Sequence, residues 1–199
     1  FRERAQLRQK DRALKESLSE MGVDFSRPRC LVIAGAGGAE CAAVEYLERR
    51  GWQTVAVTER NDQCSLRFDD RGFAPLEWAR LFGCFDACVT ERMHGAIFSL
   101  LNNTPFVAIE MTNVAGNGLT KMQSLLQRFD VEDVLLQNDE RDPVTVQQAF
   151  ERAFDTSWDW DRINGQIEEA SDQQIEFLQG ASSGAAGGWA KQQMRKVSA

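Results

Sequence analysis

The 199-residue chain has a single histidine, no Cys-x-x-Cys pair and no long apolar run. One histidine and five scattered cysteines do not favour a protein-bound zinc site. Several of the cysteines lie in apolar runs, where a thiol behaves as a small hydrophobic side chain, so a reducing compartment is favoured. No stretch approaches the roughly 20 apolar residues of a membrane-spanning helix, and none resembles a signal peptide. We therefore expect a cytoplasmic protein without a transmembrane segment.

Basic residues are outnumbered by acidic ones: the chain has 23 Lys and Arg, 30 Asp and Glu, and a formal net charge of −7. Binding to a nucleic-acid backbone requires clustered positive charge, so nucleic acid is not expected as a partner. Hydrophobic residues make up 43% of the chain, which is enough to bury a core of domain size.

What the sequence does contain is a regular alternation of short apolar runs and helical patterns. The apolar runs predict strands near 30–34, 52–58, 86–90, 105–109 and 133–136. The helical patterns predict helices near 39–50, 75–82, 95–101, 119–129 and from Asp142 onward. The polar stretch 61–72 has no periodicity and predicts a loop. This alternation predicts an α/β fold, a Rossmann-like parallel sheet with helices on both faces.

Four parts are expected along the chain. Residues 1–28 form an amphipathic helix and lead-in, 29–157 the Rossmann-like domain, 158–179 a long C-terminal helix and 180–199 a flexible tail. Because the chain opens on Phe1 and a charged helix, we expect it to be part of a longer protein.

A glycine-rich segment follows the first predicted strand and opens a helix. Gly35 and Gly37 allow a tight turn and the close approach of a phosphate, and Glu59 stands near the position of a ribose-binding acid in dinucleotide sites. Glu40, however, replaces the third glycine of that fingerprint, and its charge and bulk oppose a pyrophosphate at the helix start. The segment is either a dinucleotide site or a tight turn that forms one wall of another pocket.

A second candidate site lies between the predicted strand 86–90 and the helix that follows. Arg92 can bind a carboxylate or phosphate through two hydrogen bonds, His94 can donate to an oxyanion or transfer a proton, and Gly95 leaves the helix N-terminus open. The structural alternative pairs Arg92 with Glu91 or Asp86 and leaves His94 bonded to the backbone.

Residues 86–109 comprise a strand, the motif Arg92-Met93-His94-Gly95, an apolar helix and a strand led by proline. This stretch resembles the signature of the polysaccharide pyruvyl transferase family, in which the motif is of the Arg-Leu-His-Gly or Arg-Phe-His-Gly type. The resemblance extends more loosely over residues 31–136. It implies a glycosyltransferase-B-like (GT-B-like) architecture in which this chain is the C-terminal, donor-binding half and an N-terminal domain is absent.

The resemblance also implies that Arg92, Met93 and His94 bind phosphoenolpyruvate, with no further cofactor. The reaction transfers pyruvate as a ketal onto a sugar of a surface or exopolysaccharide precursor, so the partner is a sugar or a lipid-linked oligosaccharide. Two anionic groups must be held and one carbon protonated, and we assign these catalytic roles to Arg92 and His94. The remaining candidates for substrate binding are Gly95, Gly35, Gly37, Lys121 and Asn113.

Three other functions stay open. A nucleotide-sugar glycosyltransferase of GT-B type would use the same helix start for a diphosphate. A dinucleotide-binding module would use Gly35, Gly37 and Glu59, and a non-catalytic interaction domain would bind no donor. Trp158 and Trp160 are assigned to packing rather than to sugar stacking, and the pair Asp69 and Asp70 is given no role.

Overall fold

The computed structural model of the chain describes residues 12–34, 37–57, 64–67, 73, 75–110, 118–155 and 158–182. The strands are β1 (Arg29–Ile33), β2 (Gln53–Ala56), β3 (Leu66–Arg67), β4 (Ala87–Thr90), β5 (Phe106–Glu110) and β6 (Leu135–Gln137). The helices are α1 (12–20), α2 (Gly38–Glu48), α3 (Pro75–Leu81), α4 (Met93–Leu101), α5 (Lys121–Phe129), α6 (Pro143–Asp155) and α7 (Trp160–Ser182). Short 3-10 turns at Phe82–Cys84 and Glu132–Val134 precede β4 and β6.

The six strands form one parallel sheet in the order β3-β2-β1-β4-β5-β6. The chain therefore winds outward from β1 in one direction and from β4 in the other, and Ile33 at the end of β1 lies beside Thr90 at the end of β4. The predicted Rossmann-like parallel sheet is confirmed. Ligands of open parallel sheets bind outside the carboxyl ends of the strands where the strand order reverses, which here is the crevice between β1 and β4.

Strands β1, β2, β4 and β5 are buried along nearly their whole length. This burial shows that helices cover both faces of the sheet. One group of helices is joined by the stacked rings of Tyr46 on α2 and Phe150 on α6, whose centroids are 4.9 Å apart. The other is joined by Trp78 on α3 and Phe98 on α4, at 6.3 Å. Continuous apolar strands between two helical layers are the arrangement that the alternation predicts.

The structure corrects the predicted loop 61–72 at Leu66–Arg67, which form the edge strand β3. Two residues are too few to show a periodic pattern, and the pairing of Leu66 with Val55 of β2 fixes them instead. The hydroxyl of Ser65 adds to this pairing by donating to the carbonyl of Thr54 at 3.0 Å.

Helix boundaries also differ from the predicted ones. Helix α4 begins at Met93, two residues earlier than predicted. Helix α5 begins at Lys121, because Thr120 caps it: its hydroxyl accepts from the N–H of Gln123, and the Gln123 side chain accepts from the N–H of Thr120. This reciprocal capping box sets the first residue of the helix.

At the two ends of the described chain, the predicted helices are present. Leu14 and Leu18 of α1 are buried, as the apolar stripe predicts. Helix α7 continues to Ser182, so the first residues of the predicted flexible tail are helical. Residues up to Trp158 form one compact unit, and Asp159 begins a second. No helix in the described ranges combines the length and apolarity that crossing a bilayer requires.

Trp158 has the packing role assigned to it. Its indole N–H donates to the carbonyl of Ala153 at 2.7 Å, and its ring lies 5.4 Å from that of Phe106 on β5. The residues Glu59, Asp69 and Asp70 lie outside the described part of the chain.

Candidate anion-binding site

The turn between β4 and α4 is built by Thr90, the last residue of the strand. Its hydroxyl accepts a hydrogen bond from the N–H of Arg92 and donates one to the carbonyl of the same residue, both at 3.0 Å. Thr90 is fully buried, whereas Arg92 stands in an extended conformation (φ −102°, ψ 127°) at the N-cap of α4. The buried threonine therefore fixes where the helix begins.

Gly95 allows the first turn of α4 to lie directly against the end of β4. A Cβ atom on Gly95 would stand 2.9 Å from Cβ of Thr90 and closer still to its Oγ1. No side chain fits in that space. Ser99, one turn later, donates to the carbonyl of Gly95 at 2.9 Å and holds the glycine in the helix.

The N-terminus of α4 is open. No side chain caps it, and the first backbone bond of the helix runs from the N–H of Ala96 to the carbonyl of Arg92 at 3.2 Å. The N–H groups of Met93, His94 and Gly95 precede that bond and have no intrahelical acceptor. His94 is exposed on this turn. Free N–H groups and the positive end of the helix dipole favour an anion here.

Arg92 extends into solvent beside this helix start, with 64% of its side chain exposed. Its Nε lies 3.2 Å from Oε1 of Glu91, whose side chain is only 10% exposed. Asp86 pairs with Arg29 instead, at 3.3 Å. Of the two partners considered from the sequence, Glu91 is the one that pairs with Arg92. Because the guanidinium remains largely exposed, a ligand anion can approach this arginine from the solvent side.

The N-terminus of α2, after the glycine segment, is filled by the protein itself. The N–H of Ala39 donates to the carbonyl of Asn138 at 3.1 Å. Glu40 folds back over the N-cap residue Gly37, where an added Cβ would collide with its Oε2. On the next residue, Gly38, an added Cβ would lie 2.7 Å from Nε of Arg141. The N–H of Ala39 is therefore already paired, and the Glu40 side chain lies over the N-cap where a pyrophosphate would bind.

Glu40 obstructs the α2 start by its bulk more than by its charge. It is fully buried. Burial raises the pKa of its carboxyl group above the ordinary value of 4.5, and the carboxylate of Glu91 raises it further. The N–H groups of Glu40 and Gly37 act in the opposite direction and only moderate the shift. The sequence indicates the obstruction but not the burial that favours the neutral acid.

The other candidates are only partly described. Gly35 and Asn113 lie outside the described residues. Lys121 is exposed as the first residue of α5. The preceding Thr120 bonds through its hydroxyl to Oε2 of Glu110, the last residue of β5, so Lys121 is anchored near the carboxyl end of that strand. Gly37, Arg92 and Lys121 thus follow the ends of three neighbouring strands, β1, β4 and β5.

A groove of about 620 Å³ runs along the outer side of α2, between Gly37, Cys41, Glu45, Glu48 and Arg141. None of the residues 92–95 lines it. Two carboxylates against one guanidinium make it a poor place for a ligand with several negative charges, so the open start of α4 fits an anion better.

Sequence reasoning missed the role of Thr90 and the contribution of Asn138. A signal for the first exists, because a threonine two residues before Arg92 can bond to that residue's N–H in a local turn. Asn138 has no such signal, since it reaches α2 only after β6 has joined the sheet on the far side of β5.

Residues 27–113 match the family model described as Polysaccharide pyruvyl transferase. The match includes β1, β4 and the starts of both α2 and α4. No curated protein and no solved structure gives a significant match to the chain.

Proposed function

Because residues 27–113 match the family model of the polysaccharide pyruvyl transferases, we propose that this chain binds phosphoenolpyruvate at the start of α4. There it takes part in transferring pyruvate as a ketal to a sugar of a surface or exopolysaccharide precursor. The proposal includes a GT-B-like enzyme of which this chain is the donor-binding half. The acceptor, a sugar or a lipid-linked oligosaccharide, would then be held together with an N-terminal domain.

The observation that carries the proposal is the contrast between the two helix starts at the switch point. Helix α2 begins under Glu40 and the carbonyl of Asn138, whereas α4 begins with uncapped N–H groups next to an exposed arginine. Phosphoenolpyruvate carries a carboxylate and a phosphate on the same carbon. The guanidinium of Arg92 can bind one in a bidentate manner while the α4 N–H groups bind the other.

The chemistry then proceeds on the central carbon of the donor. A proton adds to the methylene carbon, and a sugar hydroxyl attacks the adjacent carbon and gives up its proton. Inorganic phosphate then leaves with the pair of electrons of the broken C–O bond and takes up a proton. A second hydroxyl of the same sugar closes the ketal and gives up its proton. His94, on the first turn of α4, is placed either to supply the first proton or to stabilise the charge of the leaving phosphate.

The test is a calorimetric titration of the chain with phosphoenolpyruvate, uridine diphosphate and NAD. We expect selective binding of phosphoenolpyruvate that weakens about 10- to 100-fold in Arg92→Ala, because a hydrogen bond to a charged group is worth about 1.5–3 kcal/mol. His94→Ala should also weaken it. The matched control is Arg152→Ala, which removes an exposed arginine from α6 and should bind as the unmodified chain does.

Other outcomes of the same titration identify the alternatives. Selective binding of uridine diphosphate that depends on Arg92 would favour a nucleotide-sugar glycosyltransferase. Binding of NAD that ignores both substitutions would move the site to the glycine segment and contradict the proposal.

A further inference from the structure

Two buried acceptors flank Gly37 at the switch point. Neither carboxyl oxygen of Glu40 accepts a hydrogen bond of standard geometry from the described residues, and the same holds for Oδ1 of Asn138. A Cβ on Gly37 would stand 2.6 Å from that Oδ1 and in collision with Oε2 of Glu40. Both oxygens therefore lie beside the same point on Gly37, and neither has a donor of standard geometry among the described residues. Buried polar groups without a partner are rare in folded proteins because each costs free energy.

One proton satisfies both oxygens. As a carboxylic acid Glu40 gains an O–H donor, and Oδ1 of Asn138 can accept a hydrogen bond from it. As a carboxylate Glu40 would instead be a buried charge with no ion pair to a cation in the described ranges, which is unfavourable, and only the N–H groups of Gly37 and Glu40 favour that form. The effect of burial on its pKa acts in the same direction as this geometry.

We propose that Glu40 is a protonated carboxylic acid that donates a hydrogen bond to Oδ1 of Asn138, and that its neutrality keeps negative charge away from the Arg92 anion site. Glu40 is then a positioning residue, since it acts through Glu91 and does not touch the donor. The protonation of Glu40 stands without the proposed function. Only its effect on donor binding rests on that function.

Charged residues follow or end the neighbouring strands at this edge of the sheet. Glu91 and Arg92 follow β4, Glu110 ends β5, and Arg141 follows β6 beside Gly38. On α2 itself, the next glutamates line the outer groove. Glu91 is the group whose charge acts on Glu40.

This arrangement gives the donor site a pH dependence. If Glu40 ionised, its negative charge would add to that of Glu91, the ion-pair partner of Arg92, and would compete with the donor for the guanidinium. Affinity for phosphoenolpyruvate should then fall as the pH rises through the titration of Glu40.

The first experiment observes the Glu40 carboxyl carbon by 13C NMR in the full chain, assigned by its absence in Glu40→Gln. We expect it to keep the chemical shift of a protonated acid at a pH where the exposed glutamates are ionised. A carboxyl that ionises together with the exposed glutamates would overturn the proposal. In that case the amide of Asn138 is turned, with its nitrogen donating to a carboxylate.

The second experiment measures the affinity for phosphoenolpyruvate against pH in the unmodified chain, Glu40→Gln, Glu40→Ala and the control Glu45→Gln. Glutamine keeps a neutral donor for Asn138 and cannot ionise. The affinity of the unmodified chain, divided by that of Glu40→Gln, should therefore fall several-fold from acid to alkaline pH. Glu40→Ala should bind more weakly than Glu40→Gln at every pH, and Glu45→Gln should follow the wild-type profile. Identical profiles for the unmodified chain and Glu40→Gln would refute the role in positioning. If no variant binds the donor, the proposed function fails, while the NMR result still decides the protonation of Glu40.

Discussion

Thr90 and Gly95 are in direct contact where β4 becomes α4. A Cβ atom added to Gly95 would lie 2.9 Å from Cβ of Thr90, and Thr90 is the residue whose hydroxyl holds both backbone groups of Arg92. The position of Arg92 therefore depends on Thr90, and Thr90 fits there only because residue 95 has no side chain.

We expect Gly95→Ala to destabilise the chain even though alanine is the better helix former. Overpacking a buried contact costs about 1–3 kcal/mol, which exceeds the roughly 0.5–1 kcal/mol that alanine gains over glycine in a helix. Urea denaturation followed by circular dichroism measures the difference.

Gly165→Ala on α7 is the matched control, because an added Cβ there meets nothing within 4 Å. This variant should be stabilised. If Gly95→Ala were stabilised to the same extent, the contact with Thr90 would have no energetic weight.

The capping box of α5 leads to a second prediction. Thr120→Ala removes the N-cap, which costs about 0.5–2 kcal/mol. It also takes away the hydroxyl that donates to the buried Glu110, so the loss should lie at the upper end of that range. Thr120→Ser keeps both bonds and should recover most of the stability in the same urea titrations. Equal losses in the two variants would show that the methyl group, and not the hydroxyl, is what matters.

Glu40 gives the stability of the fold a pH dependence of known sign. Its pKa is raised in the folded chain, so the folded state holds this proton more tightly than the unfolded state. Its contribution to the free energy of unfolding is complete below the unfolded pKa, near 4.5, and is lost as the pH rises through the folded pKa. Glu40→Gln, which cannot ionise, should therefore gain stability relative to the unmodified chain as the pH rises.

Denaturant titrations at a series of pH values test this, with Glu45→Gln as the control for the change of residue type. A stability difference between Glu40→Gln and the unmodified chain that stays constant with pH, or that favours the variant only in acid, would contradict the assignment.

The sequence predicts the sheet well because its strands are continuous apolar runs that remain buried on both faces. It also predicts the starts of α2 and α6, since Gly37 and the pair Asp142 and Pro143 are local signals; the carboxylate of Asp142 does accept from the N–H of Thr145 at 2.9 Å. Strand β3 cannot be predicted from the sequence, because two residues are too few to show a periodic pattern and only their pairing with β2 defines the strand.

The sequence predicts the individual candidate residues of the site, but not how they lie relative to one another. Gly37 and Arg92 belong to rival sites in the sequence, 55 positions apart. The strand order shows that they follow the ends of two adjacent strands, β1 and β4. Which helix start is open depends on Glu40 and on the hydrogen bond from the N–H of Ala39 to the carbonyl of Asn138, which crosses 99 positions of the chain. Local pattern carries no information about such a pair.

The most direct test of the donor site follows the backbone amides of the two helix starts by 15N NMR during a titration with phosphoenolpyruvate. A donor site at the start of α4 predicts saturable shifts that are largest at Met93, His94 and Gly95, small at Ala39 and Glu40, and absent in Arg92→Ala. Shifts centred on the start of α2 that persist in Arg92→Ala would contradict it.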